Sequence, residues 1–125
     1  MNNFPRITES EWEVMNVIWA RSKATAHEVI EALAQTENTW KPATVKSLIS
    51  RLVKKNVLGY TQEGKLYCYY PLLSKEECLR SESSSFLQRL YGGTLKPMLV
   101  HFLSQENISN REIEELQNIL EKRKE

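Results

Sequence analysis

The sequence predicts a mainly helical chain, six helices interrupted once, after the third, by a β-hairpin. Three observations carry this. First, four hydroxyl residues stand three positions before a glutamate at the head of an amphipathic stretch: Thr8…Glu11, Thr25…Glu28, Ser74…Glu77 and Ser109…Glu112. That is the spacing of a capping box, in which the hydroxyl accepts from a free N–H of the first turn and the glutamate reaches back. Second, apolar residues in these stretches recur at three- and four-residue steps. Third, a short run rich in β-branched and aromatic residues straddles Gly64, as in a hairpin.

The first helix spans about 9–21, with Trp12, Met15 and Trp19 on one side and Val14 and Ile18 beside them. The second spans about 26–35, with Val29, Ile30 and Leu33 inward. The third spans about 42–55. Pro42 suits its first turn, where a backbone N–H has no partner to lose. Val45, Leu48, Ile49, Leu52 and Val53 form its buried stripe, and Trp40 is placed to staple its start against Thr44 or Val45.

Val57, Leu58 and Tyr60 then lead into Gln62-Glu63-Gly64-Lys65, and Leu66 to Tyr70 return before Pro71. On a strand, Tyr67 and Tyr69 share one face and Tyr70 points to the other. The fourth helix runs about 75–91 and stops at Gly92-Gly93. The fifth runs about 95–104 with Pro97 in its first turn, and the sixth about 110–123.

Composition excludes several classes. A chain of 125 residues can bury a core without metals or disulfides. No apolar run approaches the ~20 residues of a membrane span, and Met1-Asn2-Asn3-Phe4-Pro5-Arg6 lacks the pattern of a signal peptide. A soluble, cytoplasmic protein without membrane insertion is expected. Cys68 and Cys78 fit no metal spacing and no disulfide framework, so reduced, partly buried thiols are expected. All sixteen acids are glutamate, which weighs against an aspartate-rich catalytic or Mg²⁺ site. His27 and His101 are far apart with no obvious partner and read as surface or packing residues. No nucleophile–base pair, metal spacing or Gly-rich phosphate loop can be named, so no enzyme, cofactor or metal is expected.

Charge points elsewhere. The whole chain carries +1, yet between Lys41 and Lys65 six Lys and Arg face one Glu, a net +5. The free face of the third helix shows Thr44, Lys46, Ser47, Ser50, Arg51, Lys54 and Lys55, cations and short hydroxyls with no acid. Three helices followed by a hairpin is the order of a winged helix-turn-helix, whose third helix enters the DNA major groove. A solvated basic surface helix is the bland alternative. Local charge, absent acids, early hydroxyls and an adjoining wing together favour DNA.

Roles follow from reach. Lys41 and Ala43 lie at the helix tip, where free amides favour a phosphate oxygen. Thr44 could meet a thymine methyl or a phosphate, Ser47 a base or a phosphate, with Ser50 on the same face. Arg51 suits a bidentate contact to guanine or phosphate. Lys46, Lys54 and Lys55 read as point-charge phosphate contacts or solvated residues, and Lys65 at the wing tip would touch the neighbouring backbone or minor groove.

The expected domains are 1–72, a winged-helix DNA-binding domain, and 73–125, a three-helix dimerisation domain. Three short helices alone bury little surface and are marginal in water. Their apolar residues, Phe86, Leu90, Leu95, Met98, Leu99, Phe102, Leu103, Ile113, Leu116 and Leu120, call for a cover. A second copy in a two-fold homodimer is the simplest; folding back onto the first half of the same chain is the alternative.

The chain resembles the penicillinase-repressor family of bacterial winged-helix regulators, the BlaI/MecI/CopY type. The resemblance lies in Ile7-Thr8-Glu9-Ser10-Glu11-Trp12-Glu13-Val14-Met15-Asn16-Val17-Ile18-Trp19, in Thr44 to Lys55, in Phe86 to Gly93 and in Glu112 to Leu120. It implies a homodimeric repressor on palindromic operators with TACA/TGTA-type half-sites, controlling β-lactamase or penicillin-binding-protein genes. It further implies, in the resistance members, a membrane sensor whose signal leads to cleavage in the dimerisation region. The family's cleaved pair is Asn-Phe, and the aligned pair here is His101-Phe102. The copper-responsive branch ends in a cysteine-rich metal hook, whereas residues 104–125 hold no cysteine, so the β-lactam-resistance branch is the nearer. A winged-helix adaptor that binds a protein instead of a specific DNA target is the competing function; steep weakening with salt separates the two.

Overall fold

The computed structural model describes residues 4–105 and 107–124; Met1–Asn3, part of the signal-peptide reading, lie outside the described residues. All six expected helices form, with ends within a residue of expectation: α1 Glu9–Arg21, α2 Ala26–Ala34, α3 Pro42–Lys54, α4 Lys75–Tyr91, α5 Leu95–Gln105 and α6 Asn110–Arg123. Local chemistry sets these ends. Glu11 N donates to Thr8 Oγ1 at 3.2 Å while Thr8 N donates to Glu11 Oε1 at 2.9 Å. The same reciprocal pair closes at Thr25/Glu28 and Ser74/Glu77. The fourth box closes by half. Glu112 N donates to Ser109 Oγ at 3.1 Å, and no return bond from the Glu112 side chain is found among the described residues. Both residues there are exposed, so water serves the carboxylate as well.

Asn56 ends α3 in the left-handed region, φ 63°. Its N–H donates to Val53 O and that of Val57 to Leu52 O, both at 3.0 Å. This is the Schellman arrangement, which seats Val57 against the helix it has just left. Gly64, at φ +62°, is the first of two residues linking β2 (Leu58–Glu63) to β3 (Leu66–Pro71), the place where a two-residue hairpin loop favours glycine.

A third strand was not legible in the sequence. Ala24–Thr25 forms a two-residue β1 that pairs antiparallel with β3 (Ala24 opposite Tyr69, Thr25 opposite Cys68), giving the order β1-β3-β2. Its existence depends on a partner strand more than forty residues away, which no local pattern reports. The sheet ties the wing to the link between α1 and α2.

The chain divides into two compact units, 1–81 and 82–125. The division falls inside α4, later than the expected 72/73, because Leu73 and Cys78 pack into the first unit's core. That core joins Val14, Met15 and Ile18 of α1, Val29 and Leu33 of α2, and Val45, Leu48, Ile49 and Leu52 of α3, capped by Val57 and Leu58. Trp12 and Trp19 meet edge to face at 5.3 Å beside it. Trp19 Nε1 donates to Leu73 O at 2.9 Å, fastening the chain between wing and α4. Cys68 is half-buried and Cys78 buried, and neither forms a disulfide among the described residues.

The second unit is built differently. Phe86 stacks on Phe102 at 6.2 Å, with Tyr91 and His101 at the cluster edge. No described residue of α5 or α6 is buried. Leu90, Leu95, Leu103, Ile113, Leu116 and Leu120 are exposed, Leu103 at 49%; Phe86, Met98 and Leu99 are half-buried. His101 and Phe102 lie inside α5, in helical backbone.

Leu52 is fully buried at the meeting of α3 with the core. Leu52→Ala should lower unfolding stability by about 2–5 kcal/mol through lost burial and a residual cavity. A urea midpoint unchanged from wild type would contradict this packing.

Candidate nucleic-acid interface

Successive residues of α3 turn by about 100°, so its sequence splits it lengthwise. Val45, Leu48, Ile49 and Leu52 are buried. Ala43, Ser47, Ser50 and Lys54 run along the middle of the opposite face, Thr44 and Arg51 on the flank toward α1, and Lys46 on the flank toward the wing. Lys41 caps the N-terminus without a side-chain hydrogen bond. All of these are exposed, as is Lys65 beside Gly64 at the wing tip. The nine expected contact residues thus share one unit and one open surface.

On the wing side the helix borders a cleft of about 660 Å³. Lys46 and Ser50 supply one wall, Lys65 and Tyr67 another, and Thr25, Ala26 and His27 at the head of α2 the third. The α2 contribution was missed in the sequence. The Thr25 capping box marks that helix start, but nothing local says that it faces the wing. His27 Nε2 lies 2.7 Å from Glu31 Oε1 on its own helix.

The wing tyrosines divide as their alternation predicts. Tyr60 stacks on Tyr67 at 5.1 Å and tilts against Tyr69 at 6.2 Å. Tyr69 packs against the core, and burial pushes its phenol up. Tyr70 lies on the other face over Gly59, where an added Cβ would meet its ring at 2.8 Å.

On the α1 flank an acid enters a face that looked free of acids. Glu11, read from sequence as a cap, is fully buried. Its Oε1 accepts from Lys55 Nζ at 2.6 Å as well as from Thr8 N. Its Oε2 lies 3.3 Å from Arg51 Nε but outside hydrogen-bond alignment. Lys55 also donates to Arg6 O at 2.9 Å, so it is a structural cation and not the phosphate contact or solvated lysine expected. Burial pushes the Glu11 carboxyl up; the Lys55 ammonium and the Thr8 N–H outweigh this and hold it below the usual carboxylate value.

The sequence matches the family model described as penicillinase repressor over residues 7–122. It is 40% identical over 124 residues to the penicillinase repressor of Bacillus licheniformis, covering 99% of this chain and 96% of that one. It is 36% identical over 122 residues to the methicillin resistance regulatory protein MecI of Staphylococcus aureus, covering 98% of each. The structure is similar to the DNA binding domain of the repressor BlaI, with TM-score 0.54 and 38% identity over 62% of this chain and 93% of that one. The Bacillus licheniformis BlaI monomeric form in complex with the blaP half-operator gives TM-score 0.53, again with 38% identity over 62% of this chain and 93% of that one.

The Glu11 cluster has a pH consequence. A carboxyl whose pKa is lowered on folding stabilises the fold above its unfolded value and loses that contribution as pH falls through the folded one. Stability should therefore drop on acidification below the ordinary carboxylate value of 4.5. Glu11→Gln should flatten that drop and cost about 1–3 kcal/mol at neutral pH, at or below the range for breaking a buried pair because Arg51 and Lys55 can still reach water. Identical acid melting curves for the two proteins would contradict this.

Proposed function

The chain belongs to the penicillinase repressor family, DNA-binding winged-helix transcriptional repressors and not enzymes, and from that premise we propose that it works as a homodimer gripping a palindromic operator with two copies of α3. The observation that carries this is the exposed middle of α3, where Ala43, Ser47, Ser50 and Lys54 present small hydroxyls and a cation with no acid among them. Small side chains let the helix approach base edges closely, while Lys41, Lys46, Lys54 and Lys65 match phosphates along the groove walls. The complex of the relative BlaI with the blaP half-operator supports the same use of the fold.

The second unit supplies the pairing. Helices of 11 and 14 residues with no buried position need a cover for their apolar faces, and a second copy offers a matching one. Two half-site contacts joined in one molecule bind at an effective concentration that two separate domains lack. Loss of pairing therefore releases the operator with the reading helix intact. The regulated genes are β-lactam-resistance genes of the kind the family serves. The resemblance supplies the inducing route, a membrane sensor leading to cleavage in the dimerisation region; His101 stands where the family's cleaved pair has Asn, and the pair lies within helical α5, whereas ready cleavage belongs to exposed loops.

Two measurements test this reading. Operator affinity should fall with salt on a log–log slope of about −0.9 per neutralised phosphate, and Lys54→Ala and Lys65→Ala should each make that slope shallower by about 1. Salt-independent binding contradicts a DNA role. Leu103→Asp, at a position exposed within the single chain, should leave the helical signal unchanged, convert the dimer to a monomer by light scattering, and weaken operator binding at least tenfold. A variant that remains dimeric removes this face of α5 from the interface.

A further inference from the structure

Arg51 differs from the lysines along the exposed face of α3 in being tethered from a neighbouring helix. Its Nε lies 3.3 Å from Glu11 Oε2, and the side chain is 55% exposed against 0% for Glu11. Glu11 has little freedom. Its Oε1 is held by Thr8 N at 2.9 Å and Lys55 Nζ at 2.6 Å, and its hydrogen-bond-free Oε2 faces Arg51. This contact is an ion pair without hydrogen-bond alignment, made on the Nε side of the guanidinium. The terminal Nη pair, the fork that matches the O6/N7 edge of guanine, has no hydrogen-bond partner among the described residues, on a side chain that is 55% exposed. An unrestrained surface arginine gives up much rotamer freedom when it docks, and a planar fork held by one edge gives up less.

We propose that Glu11 is a positioning residue for sequence readout: buried beneath α3, it fixes the Nε edge of Arg51 and aims the free Nη fork at a guanine base edge. The inference rests on α3 occupying the major groove, as argued above. Glu11 touches no DNA. It acts by turning one mobile cation into a directed donor pair, so its effect falls on discrimination between sequences more than on attraction to duplex as such. The ammonium of Lys55 completes the arrangement, since it offsets the buried carboxylate that Arg51 alone, half in water, would leave undercompensated.

The test uses the full chain and the duplex that wild-type protein itself selects from a random-sequence library, set against a scrambled duplex of equal length. Glu11→Gln keeps the side-chain volume and the cap acceptor while removing the charge. Its affinity for the selected duplex should fall about tenfold, the scale of one good bidentate base contact, with affinity for the scrambled duplex within twofold of wild type. In the Arg51→Ala background Glu11→Gln should add no further loss. An unchanged preference for the selected duplex, equal weakening on both duplexes as for a phosphate contact, or a full additional loss in the Arg51→Ala background overturns the proposal. If Arg51→Ala itself leaves the preference intact, the reading of Arg51 as a base contact fails and this inference with it; if Arg51→Ala abolishes it and Glu11→Gln does not, the positioning role alone fails. Should Glu11→Gln not fold, wild-type protein still decides. The Arg51 Nε–H order parameter should approach the ~0.85 of rigid backbone in the absence of DNA, and a value below ~0.6 overturns the tether.

Discussion

One helix must serve as both wall and probe. The thirteen residues of α3 give one stripe, Val45, Leu48, Ile49 and Leu52 with half-buried Val53 beside it, to the core and the opposite face to solvent, and the two requirements do not compete because helical geometry separates them by angle. Val45, Leu48, Ile49 and Leu52 fix the helix against α1 and α2. Whatever they fix in place, Ser47, Ser50 and Lys54 present on the far side. Packing thus defines the pose of the proposed reading surface, and the Schellman turn at Asn56 passes the chain directly into the wing that flanks it. Interior rigidity and exterior aim are one property here.

The buried carboxylate of Glu11 extends that logic across elements. It closes the α1 cap through Thr8, pairs with Lys55 at the end of α3, and reaches Arg51 one turn earlier. Burying such a charge is costly unless it is compensated, and here a backbone N–H and two cations share the task. The consequence is electrostatic as well as mechanical. Of the cations between residues 41 and 65, Lys55 is withdrawn from the surface and Arg51 is partly neutralised, so the field available to a polyanion is weaker than the raw count of charges implies. What remains is better directed.

Helix positions were legible because their ends are written in local chemistry: capping boxes at Thr8, Thr25 and Ser74, Pro42 in the first turn of α3, Gly92-Gly93 after α4. The exposed face of α3 was legible for the same reason, since a 3.6-residue period sorts Lys46 and Ser47 from Leu48 and Ile49 without reference to any other element. Long-range relations were not. β1 exists through pairing with β3; the α2 wall of the wing cleft depends on how two elements meet; and Glu11 shows its capping partner three residues away but not Lys55, forty-four residues on. The division at Ser81 rather than Leu72 has the same origin, for Cys78 is committed to the first unit by packing while its local sequence reads simply as helix.

The apolar faces of α5 and α6 contrast with this economy. Nothing in the second unit's own fold buries them, and a single chain leaves Leu116 and Leu120 to water. Such faces are an obligation that the first unit does not share, which is why the proposed reading makes DNA contact and pairing separable. The measurement that bears most directly on the account is a titration of isotope-labelled protein with its selected duplex, followed by backbone and side-chain chemical shifts. Perturbations concentrated on residues 43–54 and the wing tip around Lys65, with the buried stripe and α6 little moved, are the expected result. Perturbations that spare α3 and gather elsewhere would contradict it.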